Sequence, residues 1–320
     1  MILSPSKKLG VVLFFVVMFI SPLYLVAGEE IKKIQLREVL SIGGWNNDLL
    51  FQWVAVVSDS EQNIYVTDTM DYKLKKFDSQ GNLMKETGSK GQGPGEFLAP
   101  RLIGVTDLYL YVSDQYKHCI QVFDKELNFK KLIKIRNTIS DLEVLSDNKI
   151  IISTIGEKRS RLIFYDSKGK NIGELEYSKK SRFAMDRVQF EVDQHGNYYL
   201  VYNFRDRIEK YNSDGKILWS KKLLKVGKAE RKKIGEKKIP VRFIYKDIEL
   251  DKYGNIYILG GSYSKNKSQD VYVLDHNGKM IATFVLPEAS HCLYIDDKDF
   301  LYSRHNDGIT LKKYKMNKIY

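Results

Sequence analysis

The sequence is short of the residues that divide a chain, staple it or bind metal. Its 320 residues include six prolines, two cysteines and five histidines. With so little proline and no Ser/Gly-rich stretch, nothing reads as a linker. One large domain is therefore expected, since all-β folds of this length often stay undivided. Cys119 and Cys292 are too few for a disulfide framework. They fall in different, non-neighbouring repeats, so two buried thiols are expected instead of a bridge. No Gly-x-Ser-x-Gly, His-Glu-x-x-His or Walker loop is present, which removes the common hydrolase, zinc-protease and nucleotide-binding signatures. The run Gly91-x-Gly-x-Gly95 imitates a phosphate loop. It leads into a strand, however, and so lacks the helix N-terminus that such a loop exploits.

What is present is apolar and aromatic: 43% hydrophobic residues, 12% aromatic and 21 tyrosines, a composition that suits strands. The first 28 residues stand apart. Lys7 and Lys8 precede the apolar run Leu9–Ala27, and Val26-Ala27-Gly28 puts small residues before Glu29. This is the order of a secretory signal peptide, and no nearby cysteine offers a lipid anchor. An uncleaved anchor is the alternative reading, because 19 apolar residues just span a bilayer. A secreted or periplasmic location is expected either way. The formal charge is +12, or +10 once those two lysines are removed. Outside the cytoplasm such a charge points to acidic partners, namely a protein, an acidic glycan or a cell-envelope polymer. The bland reading is a solvated mixed-charge surface. Nucleic acid is not expected of an exported protein. A monomer is expected, with membrane contact only through the N-terminal segment if that stays uncleaved.

Internal repetition organises the rest. A short apolar strand ends in aspartate six times, at Asp59, Asp107, Asp147, Asp193, Asp251 and Asp296. A second strand follows each, centred on Tyr65, Tyr111, Ile151, Tyr199, Tyr257 and Tyr302, at spacings of 46, 40, 48, 58 and 45 residues. Third strands such as IQVFD and VYVLD come next. Turns such as Ser-Asp-Gly-Lys then lead to a fourth, as tight hairpins do. Four short antiparallel strands per 40–58 residues mark a propeller blade. The chain is therefore predicted to be all-β, a six-bladed β-propeller of four-stranded blades over residues 29–320. The last repeat has only three strands, and Ile31–Ile42 is a strand without partners. The N-terminal strand is predicted to join the last blade, which closes the ring and removes an open edge. The repeated aspartates read as turn caps. Lys225–Arg242 reads as a basic insertion, either a solvated loop or an arm for an acidic partner.

The second repeat is the most regular. Its order Gly-x-Gly-Pro-Gly-Glu-Phe…Pro…Tyr-Val-x-Asp…His-x-Ile-Gln-Val-Phe-Asp, over Gly88–Asp124, resembles the NHL repeat of bacterial six-bladed propellers. Cys119 stands where arginine is usual, and the later repeats lack the glycine-rich loop. The resemblance implies a binding scaffold for proteins, glycans or, inside cells, RNA. Enzymatic relatives imply an alternative, a metal-dependent lyase or hydrolase of lactonase type, with His291 and Asp141 as ligands. Three converging histidines are not available, since His195 and His276 lie in turns away from the channel face, and carboxylates at the mouth are sparse (Asp141, Asp186, Asp247). No cofactor, metal or catalytic residue is therefore assigned.

Ligands of propellers sit where the first strands open onto the channel. Counting back six residues from each first-strand aspartate, or five, selects a mouth of Trp53, Arg101, Asp141, Arg187, Tyr245, Lys246 and His291. Arginine forks suit carboxylate or phosphate, and flat aromatic rings suit sugars. This set is expected to bind an anionic or glycan-like group, with Trp53, Arg101, Asp141, Arg187, Tyr245 and His291 as ligand-binding residues. The competing reading is that Arg101, Asp141 and Arg187 pair with one another and close the channel.

Overall fold

The structure is a computed structural model that describes residues 33–154, 160–178, 186–227 and 229–319. The expected signal segment, residues 1–28, lies outside the described residues. All regular elements described are strands. After β1 (Lys33–Gly43), blade one contains β2 (Val54–Ser58), β3 (Ile64–Asp68), β4 (Lys73–Phe77) and β5 (Leu83–Thr87). Blade two contains β6 (Pro100–Val105), β7 (Tyr109–Asp114), β8 (Cys119–Asp124) and β9 (Phe129–Lys134). Blade three contains β10 (Ile139–Val144), β11 (Ile150–Thr154), β12 (Ser160–Tyr165) and β13 (Asn171–Ser178). Blade four contains β14 (Val188–Val192), β15 (Tyr198–Tyr202), β16 (Ile208–Tyr211) and β17 (Ile217–Lys221). The hairpin β18 (Arg231–Ile234) and β19 (Lys237–Pro240) follows. Blade five contains β20 (Tyr245–Leu250), β21 (Ile256–Gly260), β22 (Asp270–Leu274) and β23 (Met280–Val285). Blade six contains β24 (Ser290–Ile295), β25 (Phe300–His305) and β26 (Thr310–Ile319), and β1 supplies its outer strand, paired antiparallel from Lys33↔Ile319 to Gly43↔Thr310.

Each strand's composition follows its place in the blade. Second strands are buried on both faces between neighbouring blades, so β11 reads Ile-Ile-Ile-Ser-Thr and is buried throughout. Outer strands meet solvent, so β5 reads Leu-Met-Lys-Glu-Thr and is mostly exposed. Its charges also protect the edge from pairing with another chain. The apolar core is divided among the blade interfaces. Val57, Tyr65 and Leu74 of blade one meet Ile103, Val112 and Phe123 of blade two. The sixth interface closes the circle, with Tyr302 and Leu311 of blade six against Val54, Val56, Ile64 and Val66 of blade one. Burying each such side chain contributes about 1.5–3 kcal/mol. The ring is therefore held by hydrophobic contact at every joint, and both cysteines stay unpaired.

Turns repeat one device. Asp59 accepts hydrogen bonds from the Asn63 backbone N–H (2.8 Å), the Asn63 side-chain amide (3.0 Å) and the Tyr65 hydroxyl (2.9 Å). The same bonds recur at Asp193 with Asn197 and Tyr199, and at Asp251 with Asn255 and Tyr257. The glycine-rich loop is also built for its own sake. The Glu96 carboxylate accepts the Gly93 N–H at 2.7 Å, and Lys117 Nζ donates to the Gly93 and Glu96 carbonyls. A Cβ on Gly91 would lie 2.1 Å from the Glu96 carboxylate, so a larger residue there would displace that side chain from its bond to Gly93. The basic insertion forms an exposed hairpin whose base is tied by an Arg242–Glu230 ion pair.

Candidate functional site

The innermost strands β2, β6, β10, β14, β20 and β24 present one edge each to a central channel of about 700 Å³. At its mouth, four of these strands begin with an irregular register. The breaks lie between Pro100 and Ile103, Ile139 and Asp141, Tyr245 and Asp247, and Ser290 and Cys292. A bulge leaves one residue unpaired and re-aims its side chain. The residues released include Arg101, Lys246 and His291, all of which line the channel. Trp53 reaches the same place differently. Its φ is +61°, a strained conformation for so bulky a residue, and its side chain stays half exposed at 50%.

The mouth is cationic. The Arg101 guanidinium lies 5.3 Å from the centre of the Trp53 ring and donates to Gln115 Oε1 at 2.6 Å. Arg187 donates to Ser140 Oγ at 3.1 Å and lies 5.8 Å from the Phe243 ring. Lys246 donates to the Ser290 carbonyl and to Asn306 Oδ1. Arg304 donates to the Val54 carbonyl at 2.7 Å, and its Nε is buried without a partner. Among the described residues none of these four cations forms an ion pair with a carboxylate. Burial, with the nearby Arg304 charge, lowers the pKa of Arg101 and of Lys246, the latter to about 8. His291 is exposed at the mouth, yet partial desolvation and the Lys246 and Arg304 charges lower it to about 4, so it is neutral at pH 7.

Below the mouth the channel becomes acidic on one side. Asp141 and Glu143 of β10, Glu191 of β14, and Asp247 and Glu249 of β20 line it. These strands expose backbone N–H groups to the channel, and a buried N–H needs an acceptor. Asp141 Oδ2 accepts the Phe190 N–H of the next blade at 2.8 Å. Asp247 Oδ2 likewise accepts from Leu293 at 2.8 Å, and Glu249 Oε2 from Ile295 at 3.3 Å. Glu143 and Glu191 share a side-chain hydrogen bond. Desolvation pushes the Asp141 carboxyl up to about 6. Burial, reinforced by the neighbouring acids, raises Glu143, Glu191, Asp247 and Glu249 further. The other side of the channel, from blades one, two and six, is apolar: Ala55, Val57, Ile103, Val105, Leu293 and Tyr294. Gln189 of β14, 9% exposed, also lines the channel, and its Oε1 is buried without a hydrogen-bond partner.

The profile of DUF5128, described as a 6-bladed beta-propeller, matches residues 45–218, more than half of the chain. The chain belongs to this DUF5128 family of six-bladed β-propellers. No curated protein matches its sequence. Among solved structures it is similar to a member of the duf4221 family from Bacteroides vulgatus, at 11% identity and TM-score 0.57, over 90% of this chain and 99% of that one. It is similar to virginiamycin B lyase from Staphylococcus aureus at 10% identity and TM-score 0.57, over 88% and 99% of the two chains. A gluconolactonase from Xanthomonas campestris matches at 11% identity and TM-score 0.56, over 84% and 87%. At such identities the likeness is one of fold.

In this DUF5128 propeller, five of the six residues expected to bind a ligand line the channel: Trp53, Arg101, Asp141, Arg187 and His291. Asp141 stands in the acidic part, below the cations. Tyr245 is a correction. It is fully buried among apolar side chains between blades four and five, and its hydroxyl donates to Asp206. The bulge after Tyr245 turns Lys246 to the channel instead. The competing reading, in which Arg101, Asp141 and Arg187 pair with one another, meets no such ion pair among the described residues: Arg101 bonds Gln115 and Arg187 bonds Ser140. Asp186 leaves the mouth to pair with Arg205 at 2.5 Å. His291 and Asp141 sit on blades six and three, on opposite sides of the ring. No group of three or more His, Cys, Asp or Glu among the described residues is arranged to hold a metal ion. The residues missed were Arg304, Gln189, Glu143, Glu191 and Glu249. The alternation Asp141-Leu-Glu143, Gln189-Phe-Glu191 and Asp247-Ile-Glu249 was the available signal, since a polar residue followed two positions later by glutamate recurs in three consecutive first strands.

Proposed function

We propose that this protein is an exported, NHL-like β-propeller binding scaffold whose channel-mouth face takes an anionic group, carried by a protein or an acidic glycan. One observation carries the reading: Arg101, Arg187, Lys246 and Arg304 converge on the mouth without a carboxylate partner. Half-buried cations that repel one another are stabilised when a counter-charge arrives. The unpartnered Nε of Arg304 adds a free donor, and guanidinium forks suit carboxylate or phosphate. The exposed Trp53 ring beside Arg101 gives a sugar or aromatic ring a surface to stack on. Export rests on the apolar run before Glu29, and the NHL likeness on the glycine-rich second blade.

The test is titration of the purified full chain with glutarate and with oligogalacturonate, followed calorimetrically. Both are expected to bind, and the Arg101→Glu, Arg187→Glu double variant is expected to lose binding while still melting cooperatively. Unimpaired binding by that variant would sink the site.

A further inference from the structure

The channel separates its charges by depth. Cations from blades two, four, five and six ring the mouth, and five carboxylates from blades three, four and five lie beneath them. Neither layer neutralises the other through an ion pair among the described residues. Each layer also ends in an unpartnered buried polar atom of the sign it needs filled. At the mouth it is a donor, Arg304 Nε. Beneath, it is an acceptor, Gln189 Oε1. An anion alone satisfies only the upper layer. A bare cation satisfies only the lower one, and it must pass the arginines to get there.

We propose that the channel binds a linear zwitterion amine-first, a short peptide whose ammonium meets Gln189 Oε1 and the Glu143/Glu191 pair while its carboxylate stays at Arg101, Arg187 and Arg304. The spacing sets the length. Arg187, Gln189 and Glu191 are successive same-side positions of one strand, and a strand rises about 3.3 Å per residue, which puts the acceptor and the glutamate roughly 7 and 13 Å below the arginine. An α-amino acid is too short to span this. An extended peptide of about three residues covers roughly 10 Å. A channel of about 700 Å³ has room for it, within the usual range of ligand pockets. The raised pKa values of the throat acids fit as well, because a bound ammonium supplies the charge that lets them ionise.

The inference rests on the anion-binding reading above, and the experiment separates the two. The full chain is titrated with triglycine, N-acetyl-triglycine, triglycine amide, glutarate and calcium chloride. Triglycine is expected to bind at least about tenfold more tightly than either blocked form, because each block removes one charge that a buried counter-charge needs. In the Glu143→Gln, Glu191→Gln double variant, checked for cooperative melting, the ratio between free and acetylated peptide should collapse toward one. Equal binding of triglycine and its acetylated form by the wild type would overturn the inference. So would calcium binding in the throat with no response to triglycine. Glutarate binding without peptide binding overturns the inference alone, and loss of glutarate binding as well overturns the anion site with it.

Discussion

Two sets of carboxylates sit on the same innermost strands and behave in opposite ways. Asp251, just beyond the end of β20, accepts two hydrogen bonds from Asn255, one from Tyr257 and a Lys318 ion pair at 2.6 Å. A few residues earlier, Asp247 and Glu249 accept one backbone N–H each from the next blade and face other acids. The first set accepts most of its hydrogen bonds from its own turn, and its Asp–Tyr bond recurs in blades one, four, five and six. The second reaches across to a neighbouring blade and occurs in only half of the ring. Partners, not residue type, separate a structural carboxylate from one available to a ligand.

The largest effect that would sharpen this contrast is at the turn. Asp251→Ala strips the acceptor from Asn255, Tyr257 and the nearly buried Lys318. It is expected to destabilise the fold by about 3 kcal/mol, read from denaturant unfolding. An equal loss for Asp247→Asn would erase the distinction.

Next is pH. Burial raises the folded-state pKa of Asp141 from its ordinary 3.8 to about 6, and the other throat acids rise in the same direction. The folded state therefore holds protons that the unfolded chain has released. That stability is complete below the unfolded pKa values and is lost as pH rises through the folded ones. The ligand-free Tm is expected to fall by several degrees between pH 4 and pH 8, a range set by these shifts. A Tm that rises across this range would contradict the placement of the throat acids.

Removing one throat charge should then help. Glu143→Gln keeps a hydrogen-bonding side chain and deletes a repelled acid, so it is expected to stabilise the fold by about 1 kcal/mol at pH 8. Denaturant midpoints at pH 4 and pH 8 measure it, with the gain confined to the higher pH. The smallest effect is at Trp53. Glycine there relieves the left-handed backbone, about 0.5–1 kcal/mol, but takes the aromatic ring from Arg101. Trp53→Gly should melt no lower than wild type yet bind glutarate more weakly.

The sequence by itself determined the architecture. Six strand-ending aspartates, the Tyr-centred second strands and an unpartnered first strand specify six blades and a ring closed by β1 on β26, because each feature is local and repeats. It also placed Trp53, Arg101, Arg187 and His291 at the channel. The tertiary structure alone decided which groups face one another. Counting from aspartate assumes one register for every blade, and the bulge before Asp247 breaks it, burying Tyr245 and presenting Lys246. It likewise took the assembled ring to bring acids of blades three, four and five into one throat, since their attraction, repulsion and desolvation depend on distances across blades that no single repeat encodes.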